Sequence, residues 1–210
     1  MDPALLARIT PTELGPGQDP VERFRREVEA VSGTVTVVER DGAIDALEQA
    51  VMAHSPLRVT LAADLGGHRG PLADRLAERD LDADHYEDVA GNRGRIADTD
   101  VAVSGCLAAV AATGSILTGG ASGRGGALVA PHHVCLVETR RLFPGLQALL
   151  RALPDVGAAS AVALQSGPSR TADIEKTLIL GMHGPKTVHV VVVRDGEPRG
   201  EIDGGQRAGG

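Results

Sequence analysis

The chain has 210 residues, of which 42% are hydrophobic but only 1% aromatic, and its formal net charge is −7. The core must therefore be built from aliphatic side chains, and few rings are available for stacking on nucleic-acid bases. Because the net charge is negative and there is no basic block, nucleic acids and acidic membrane surfaces are excluded as expected partners.

The first half of the chain predicts helices that alternate with strands. In order, the predicted elements are a helix over 20–32, a strand over 34–38, a helix over 44–51, a strand over 57–61 and a short helix over 71–77. Val21, Phe24 and Val28 lie on one face of the first helix, and Gly33 ends it. Such alternation predicts an α/β fold with parallel strands and right-handed crossovers.

The second half predicts more strands and a polar segment. The predicted elements are strands over 101–105, 116–118, 127–130, 134–137, 161–164 and 188–193, an Ala-rich turn over 107–112, a Gly-rich loop over 119–126, and a helix over 145–153 with Leu146, Leu149 and Leu150 inward. We expect one domain over 20–194, a flexible or helical arm over 1–19, and a disordered tail over 195–210.

Polar residues are concentrated between 167 and 185. The turn over 165–171 follows a predicted strand, so we expect it at the carboxyl edge of the sheet, where ligands bind in open α/β folds. A helix is predicted over 171–180, with Ser169 or Thr171 as its cap. Arg170 and free helix-end amides would hold an anion there, although capping and surface charge alone would also explain the pattern. A full helix is ~15 Å long, so His183 shares this site only if the helix is short or bent.

The two cysteines, Cys106 and Cys135, are too few for a disulfide framework or a four-thiolate metal site. Both are expected to be buried small residues in a reducing cytoplasm. Adjacent His132 and His133 point to opposite faces of a strand, so no metal site is predicted. No apolar run reaches the ~18 residues that span a bilayer, and the amino terminus has no secretory core. We expect a soluble cytoplasmic protein.

Three motifs carry a family resemblance: ATGSI (112–116), GPSRTADIE (167–175) and LGMHGP (180–185). With them the chain resembles the lactate-utilisation (LUD) domain, and more closely the lactate-utilisation protein C family, over about residues 20–194. The resemblance implies a three-layer α/β/α fold similar to the sugar-phosphate isomerase and CoA-transferase superfamily. It also implies an accessory, non-redox subunit of a bacterial complex that oxidises L-lactate to pyruvate. The iron–sulfur clusters would belong to partner proteins, and this chain would bind no cofactor.

The leading hypothesis is that the chain binds a small carboxylate or other anionic ligand. The expected ligand-binding residues are Thr113, Gly114, Ser115, Ser169, Arg170 and Thr171. One alternative is a stand-alone isomerase or acyl/CoA transferase, in which Asp173 or Glu175 acts as base or nucleophile and His183 assists. The other alternative is a purely structural scaffold.

Overall fold

A parallel six-stranded sheet runs through the middle of the molecule. The computed structural model describes residues 14–15, 17–89, 91–119, 129–153, 162–172, 178–180 and 184–196. Within these ranges the strands are β1 (Thr34–Glu39), β2 (Val59–Leu61), β3 (Ala83–His85), β4 (Val101–Ser104), β5 (Ala108–Val110), β6 (Ser115–Gly119), β7 (His132–Glu138), β8 (Leu142–Phe143), β9 (Val162–Gln165), β10 (Arg170–Ala172), β11 (Leu178–Leu180) and β12 (Thr187–Arg194). The helices are α1 (Pro20–Ala30), α2 (Ala43–Met52), α3 (Arg69–Ala77), α4 (Tyr86–Val89), α5 (Arg93–Ala97) and α6 (Leu146–Ala152).

The strands of the large sheet follow the order β1-β12-β7-β4-β2-β3. Every neighbouring pair in it is parallel, and Val190 of β12 lies opposite both Val35 and Cys135. The predicted α/β class with a mostly parallel sheet is therefore confirmed. None of the helices in the described ranges is both long enough and apolar enough to cross a membrane.

Both faces of this sheet are buried. Strand β12 shows this in its sequence, since a strand that is buried on both sides is a nearly continuous run of apolar residues, here valines. Val191 and Val193 pack with Leu47 of α2 and with α3, which form one outer layer. Val190 and Val192 point the other way and pack with α1 and a second sheet. Val21, Phe24 and Val28 of α1 are all buried there, as the helical spacing predicts.

The second sheet has the order β8-β5-β6-β9 and mixes parallel and antiparallel pairs. Strand β5 occupies part of the turn predicted over 107–112. Strand β9 overlaps the strand predicted over 161–164, which was expected in the parallel sheet. Helix α6 covers its outer face through Leu149. Of the three leucines predicted inward, Leu149 is buried, but Leu146 and Leu150 are 37% and 51% exposed. That part of the helix prediction is wrong.

The helix predicted over 171–180 is also wrong. Residues Arg170–Ala172 and Leu178–Leu180 form an antiparallel pair, with Thr171 opposite Ile179. Short apolar runs do not distinguish helix from strand by their spacing, and β-branched residues favour the strand. Asp173 and Glu175 fall between these strands, outside the described residues.

Candidate functional site

A cleft of about 360 Å³ opens at the carboxyl ends of β1, β2, β4 and β7. Ligands bind at this edge in open α/β sheets, and the volume lies within the range of small-molecule sites. The ionisable side chains in its wall are Arg40, Asp64, His68, Glu138, Arg140 and Arg141. Each of them follows or ends a strand of the parallel sheet, so the topology brings them to one place. We call this the carboxyl-edge cleft.

Glu138 holds two of the guanidinium groups in the cleft. Its carboxylate accepts hydrogen bonds from Arg140 Nη2 at 2.6 Å and from Arg141 Nε at 3.1 Å. Arg141 Nη1 also donates to the Cys106 carbonyl at 2.7 Å. Among the described residues, none forms an ion pair or a side-chain hydrogen bond with Arg40. Arg40 therefore offers the cleft a positive charge that is not already neutralised within the described fold.

Asp64 is fixed in the cleft wall by the end of β4. Its Oδ1 accepts a hydrogen bond from the Gly105 amide at 2.8 Å. A Cβ atom on Gly105 would lie 2.3 Å from the Asp64 carbonyl oxygen, so only glycine allows this approach. Burial raises the pKa of the Asp64 carboxyl, while the Gly105 amide and the Arg141 guanidinium act in the opposite direction. A half-buried carboxylate with a raised pKa is suited to accepting a proton.

The two thiols lie in the core next to the cleft. Cys106 is 1% exposed and Cys135 is fully buried, which confirms the expectation that both are core residues. A hydrogen bond with Cys106, together with burial, raises the pKa of the Cys135 thiol. Since the thiolate is the reactive form, neither the burial nor the pKa favours a nucleophilic role for Cys135.

Two of the predicted ligand residues form a hydroxyl chain beside α1. Thr113 Oγ1 lies 2.7 Å from Ser115 Oγ, which lies 2.6 Å from Ser166 Oγ. The structure thus brings the 112–116 motif against Ser166, the residue that precedes the 167–175 motif. Between these hydroxyls, Gly114 has φ +61° and a Cβ there would lie 2.7 Å from the Val28 amide nitrogen. Close packing against the α1 backbone is therefore a structural reason for this glycine.

Ser169 lies at the opposite edge of the parallel sheet from the cleft. Its amide donates to the Pro185 carbonyl at 2.9 Å, just before β12 begins. The eight residues of β12, at ~3.3 Å each, separate that edge from the carboxyl-edge cleft by roughly 25 Å. The turn over 165–171 does not lie at the carboxyl edge of the parallel sheet, because β9, which precedes it, belongs to the second sheet. Arg170 and Thr171 are described by their backbone alone, and His183, like Asp173 and Glu175, lies outside the described residues.

The sequence-based search missed the carboxyl-edge cleft, although a usable signal was present. Arg40, Asp64 and Arg140 each come within a few residues after a strand that the sequence predicted, and Gly105 is the last residue of another. The carboxyl-edge rule, applied to those strands rather than to the most polar segment, would have selected them.

His132 and His133 point to opposite faces of β7, as predicted. His132 stacks on His54 with ring centroids 4.0 Å apart, and its Nδ1 lies 2.8 Å from Thr187 Oγ1. His133 is fully buried between the two sheets, within hydrogen-bond distance of Ser104 and Gln165. Burial lowers the pKa of His133 to about 4. No group of three or more metal-ligating side chains occurs in the described part of the chain.

Comparison with known proteins identifies the family. The model of the LUD domain matches residues 21–193, so the chain belongs to the LUD domain family. Lactate utilization protein C of Halalkalibacterium halodurans is 30% identical over 104 residues, which cover 47% of this chain and 45% of that protein. An uncharacterised protein of Neisseria meningitidis is 33% identical over 98 residues, which cover 45% of this chain and 42% of that protein. Each match thus spans less than half of the relative.

The fold also has a solved counterpart. A crystal structure of a DUF162 family protein from Deinococcus radiodurans superposes with a TM-score of 0.63 at 18% identity. The superposition covers 83% of this chain and 96% of that chain. The two proteins therefore share the fold.

Proposed function

We propose that the chain acts in lactate utilisation as a non-redox subunit that binds a small carboxylate in the carboxyl-edge cleft. The LUD domain and the relatives named lactate utilization protein C support the metabolic role. The observation that supports the ligand class is the Arg40 guanidinium group in the cleft wall, whose charge no carboxylate of the described residues neutralises. A guanidinium group matches the geometry of a carboxylate and stays charged at every physiological pH.

Electron transfer would take place on partner proteins. An iron–sulfur cluster is held by four cysteine thiolates, and this sequence contains two cysteines. Cys106 and Cys135 are both buried in the core. The chain would then supply ligand binding and contacts to an iron–sulfur protein that carries the electrons.

The test is calorimetric titration of the isolated chain with L-lactate and with pyruvate. Arg40→Gln should weaken binding by about 1.4 kcal/mol, about tenfold, because a charged hydrogen bond at an exposed position is screened by water. Arg58→Gln is the matched control, since it removes the same charge from an exposed residue that precedes β2, at the other edge of the sheet. It should bind like the wild type.

The same titration locates the ligand. Unchanged binding in Arg40→Gln together with weakened binding in Ser115→Ala or Arg170→Gln would move the site to the residues that the sequence predicts. Absence of heat with every small acid, combined with tight binding to an iron–sulfur protein, would instead favour the structural scaffold.

A second candidate function is that of an enzyme acting alone. The observation in its favour is Asp64, whose raised pKa and fixed position in the cleft suit a general base. Turnover of a small acid, a sugar phosphate or a CoA thioester by the isolated chain would establish this function. In that case Asp64→Asn should abolish turnover while leaving anion binding in place.

A further inference from the structure

A smaller hollow of about 40 Å³ adjoins the carboxyl-edge cleft. Leu107, Phe143 and Leu153 line it together with Arg140 and Arg141, and both arginines also line the cleft. An anion held by these guanidinium groups would therefore have an apolar wall beside it. We call this space the leucine hollow.

Two chain segments connect the cleft with the leucine hollow. One passes from Cys106 in the cleft wall to Leu107, and the other from Arg141 to Phe143. The hydrogen bond from Arg141 Nη1 to the Cys106 carbonyl, 2.7 Å long, joins the two segments at a residue that lines both spaces. The boundary between them is thus a fixed part of the fold.

The walls of the leucine hollow differ in exposure. Phe143 is 3% exposed and packs with Leu149 of α6, so it forms a rigid base. Leu107 is 36% exposed, so its side chain forms the open side. A rigid aromatic base and an accessible aliphatic side chain favour a small alkyl group over water at this position.

We propose that the leucine hollow receives the alkyl group of the acid whose carboxylate the cleft binds, and that Leu107 sets the accepted length. This inference rests on the proposed function. One water-sized group needs ~10–15 Å³, so a space of this size takes about one to three carbon atoms. Together with the proposed role in lactate utilisation, this size gives as ligand class a 2-hydroxy or 2-oxo acid with a short alkyl chain.

The chain length of the ligand should then control affinity. Each methylene that becomes buried should tighten binding about fourfold until the hollow is full. Glycolate, which has no alkyl group, should bind most weakly. L-Lactate should bind more tightly and L-2-hydroxybutyrate more tightly still. L-2-hydroxyhexanoate should bind no more tightly than L-2-hydroxybutyrate.

The experiment is calorimetric titration of the full chain with these four acids. Leu107→Ala enlarges the hollow, so the affinity for L-2-hydroxyhexanoate should rise about fourfold relative to the affinity for L-lactate. Leu150→Ala is the control, because Leu150 is an exposed leucine that lies outside the lining of both spaces. Arg40→Gln should weaken the binding of all four acids by the same factor, which separates the effect of the charge from that of the alkyl contact.

The outcomes distinguish this inference from the function on which it rests. If all four acids bind with equal affinity, both to the wild type and to Leu107→Ala, the role of the hollow is refuted while the anion site stands. If none of the four acids binds, the small-carboxylate function itself is refuted, and the hollow with it.

Discussion

Replacing Gly105 with alanine tests whether the end of β4 and the turn after β2 meet as closely as the geometry requires. The new Cβ would lie 2.3 Å from the Asp64 carbonyl oxygen and 2.8 Å from the Asp64 carbonyl carbon. Both are backbone atoms, so no rotamer change relieves the overlap and one chain segment must move away. That movement would break the hydrogen bond between the Gly105 amide and Asp64 Oδ1.

The expected loss of stability has two parts. Breaking a hydrogen bond to a charged group costs about 1.5–3 kcal/mol, and Asp64 is half-buried, which favours the lower value. Forcing an extra carbon into a packed region adds about 1–3 kcal/mol. We expect Gly105→Ala to lower the free energy of unfolding by about 2.5–4.5 kcal/mol, measured by urea denaturation with far-UV circular dichroism.

Gly70 in the first turn of α3 provides the control. A Cβ there has nothing within 4 Å, and alanine is a better helix former than glycine. Gly70→Ala should therefore raise the free energy of unfolding by about 0.5–1 kcal/mol. A Gly105→Ala variant as stable as the wild type would show that the two segments do not touch, and the fixed position of Asp64 would have to be given up.

Three further predictions concern stability. Asp19→Ala removes the side chain that caps α1 through the Val21 amide and should lower the free energy of unfolding by about 1 kcal/mol. Asp19→Ser should retain most of that stability, and equal melting temperatures of the two variants would contradict the cap. Glu48→Gln should lower the free energy of unfolding by about 1–3 kcal/mol, because the buried Glu48 carboxylate forms ion pairs with Arg75 and Arg79 at 2.8 Å each. Unchanged unfolding in urea would show that these ion pairs do not contribute to stability. Burial lowers the pKa of His133 to about 4 in the native state, whereas in the unfolded chain its pKa is about 6.5. Between these two pH values the unfolded chain binds a proton at His133 and the native state does not. Stability should consequently fall by about 2 kcal/mol through His133 between pH 7.5 and pH 5, and a flat profile over that interval would refute its burial.

The sequence predicted the first half of the fold well because the local pattern and the tertiary arrangement agree there. Val21, Phe24 and Val28 share a helical face, and that face is the one that packs on the sheet. The second sheet was not predicted, although β6 and β9 overlap strands that the sequence predicts, because β5 and β8 are too short to recognise. Ala108–Val110 has three residues, too few for any alternation to be visible.

The candidate site was harder to predict, since none of its residues is unusual by itself. Arg40, Asp64 and Arg141 are separated along the chain, and each resembles an ordinary surface charge after a strand. Only the strand order places them around one cleft. The density of polar residues over 167–185 predicts a site at Ser169 instead, and Ser169 lies at the other edge of the sheet.

The position of β12 has a consequence for how the chain acquires its structure during synthesis. This strand lies between β1 and β7, yet it is the last of the described strands to leave the ribosome. Until residues 187–194 emerge, β1 has no neighbour in the large sheet, and the valine-rich interior of both layers stays open to water. A nascent chain of this kind depends on β12 to complete the sheet, so premature termination before Thr187 would leave exposed strand edges that promote aggregation.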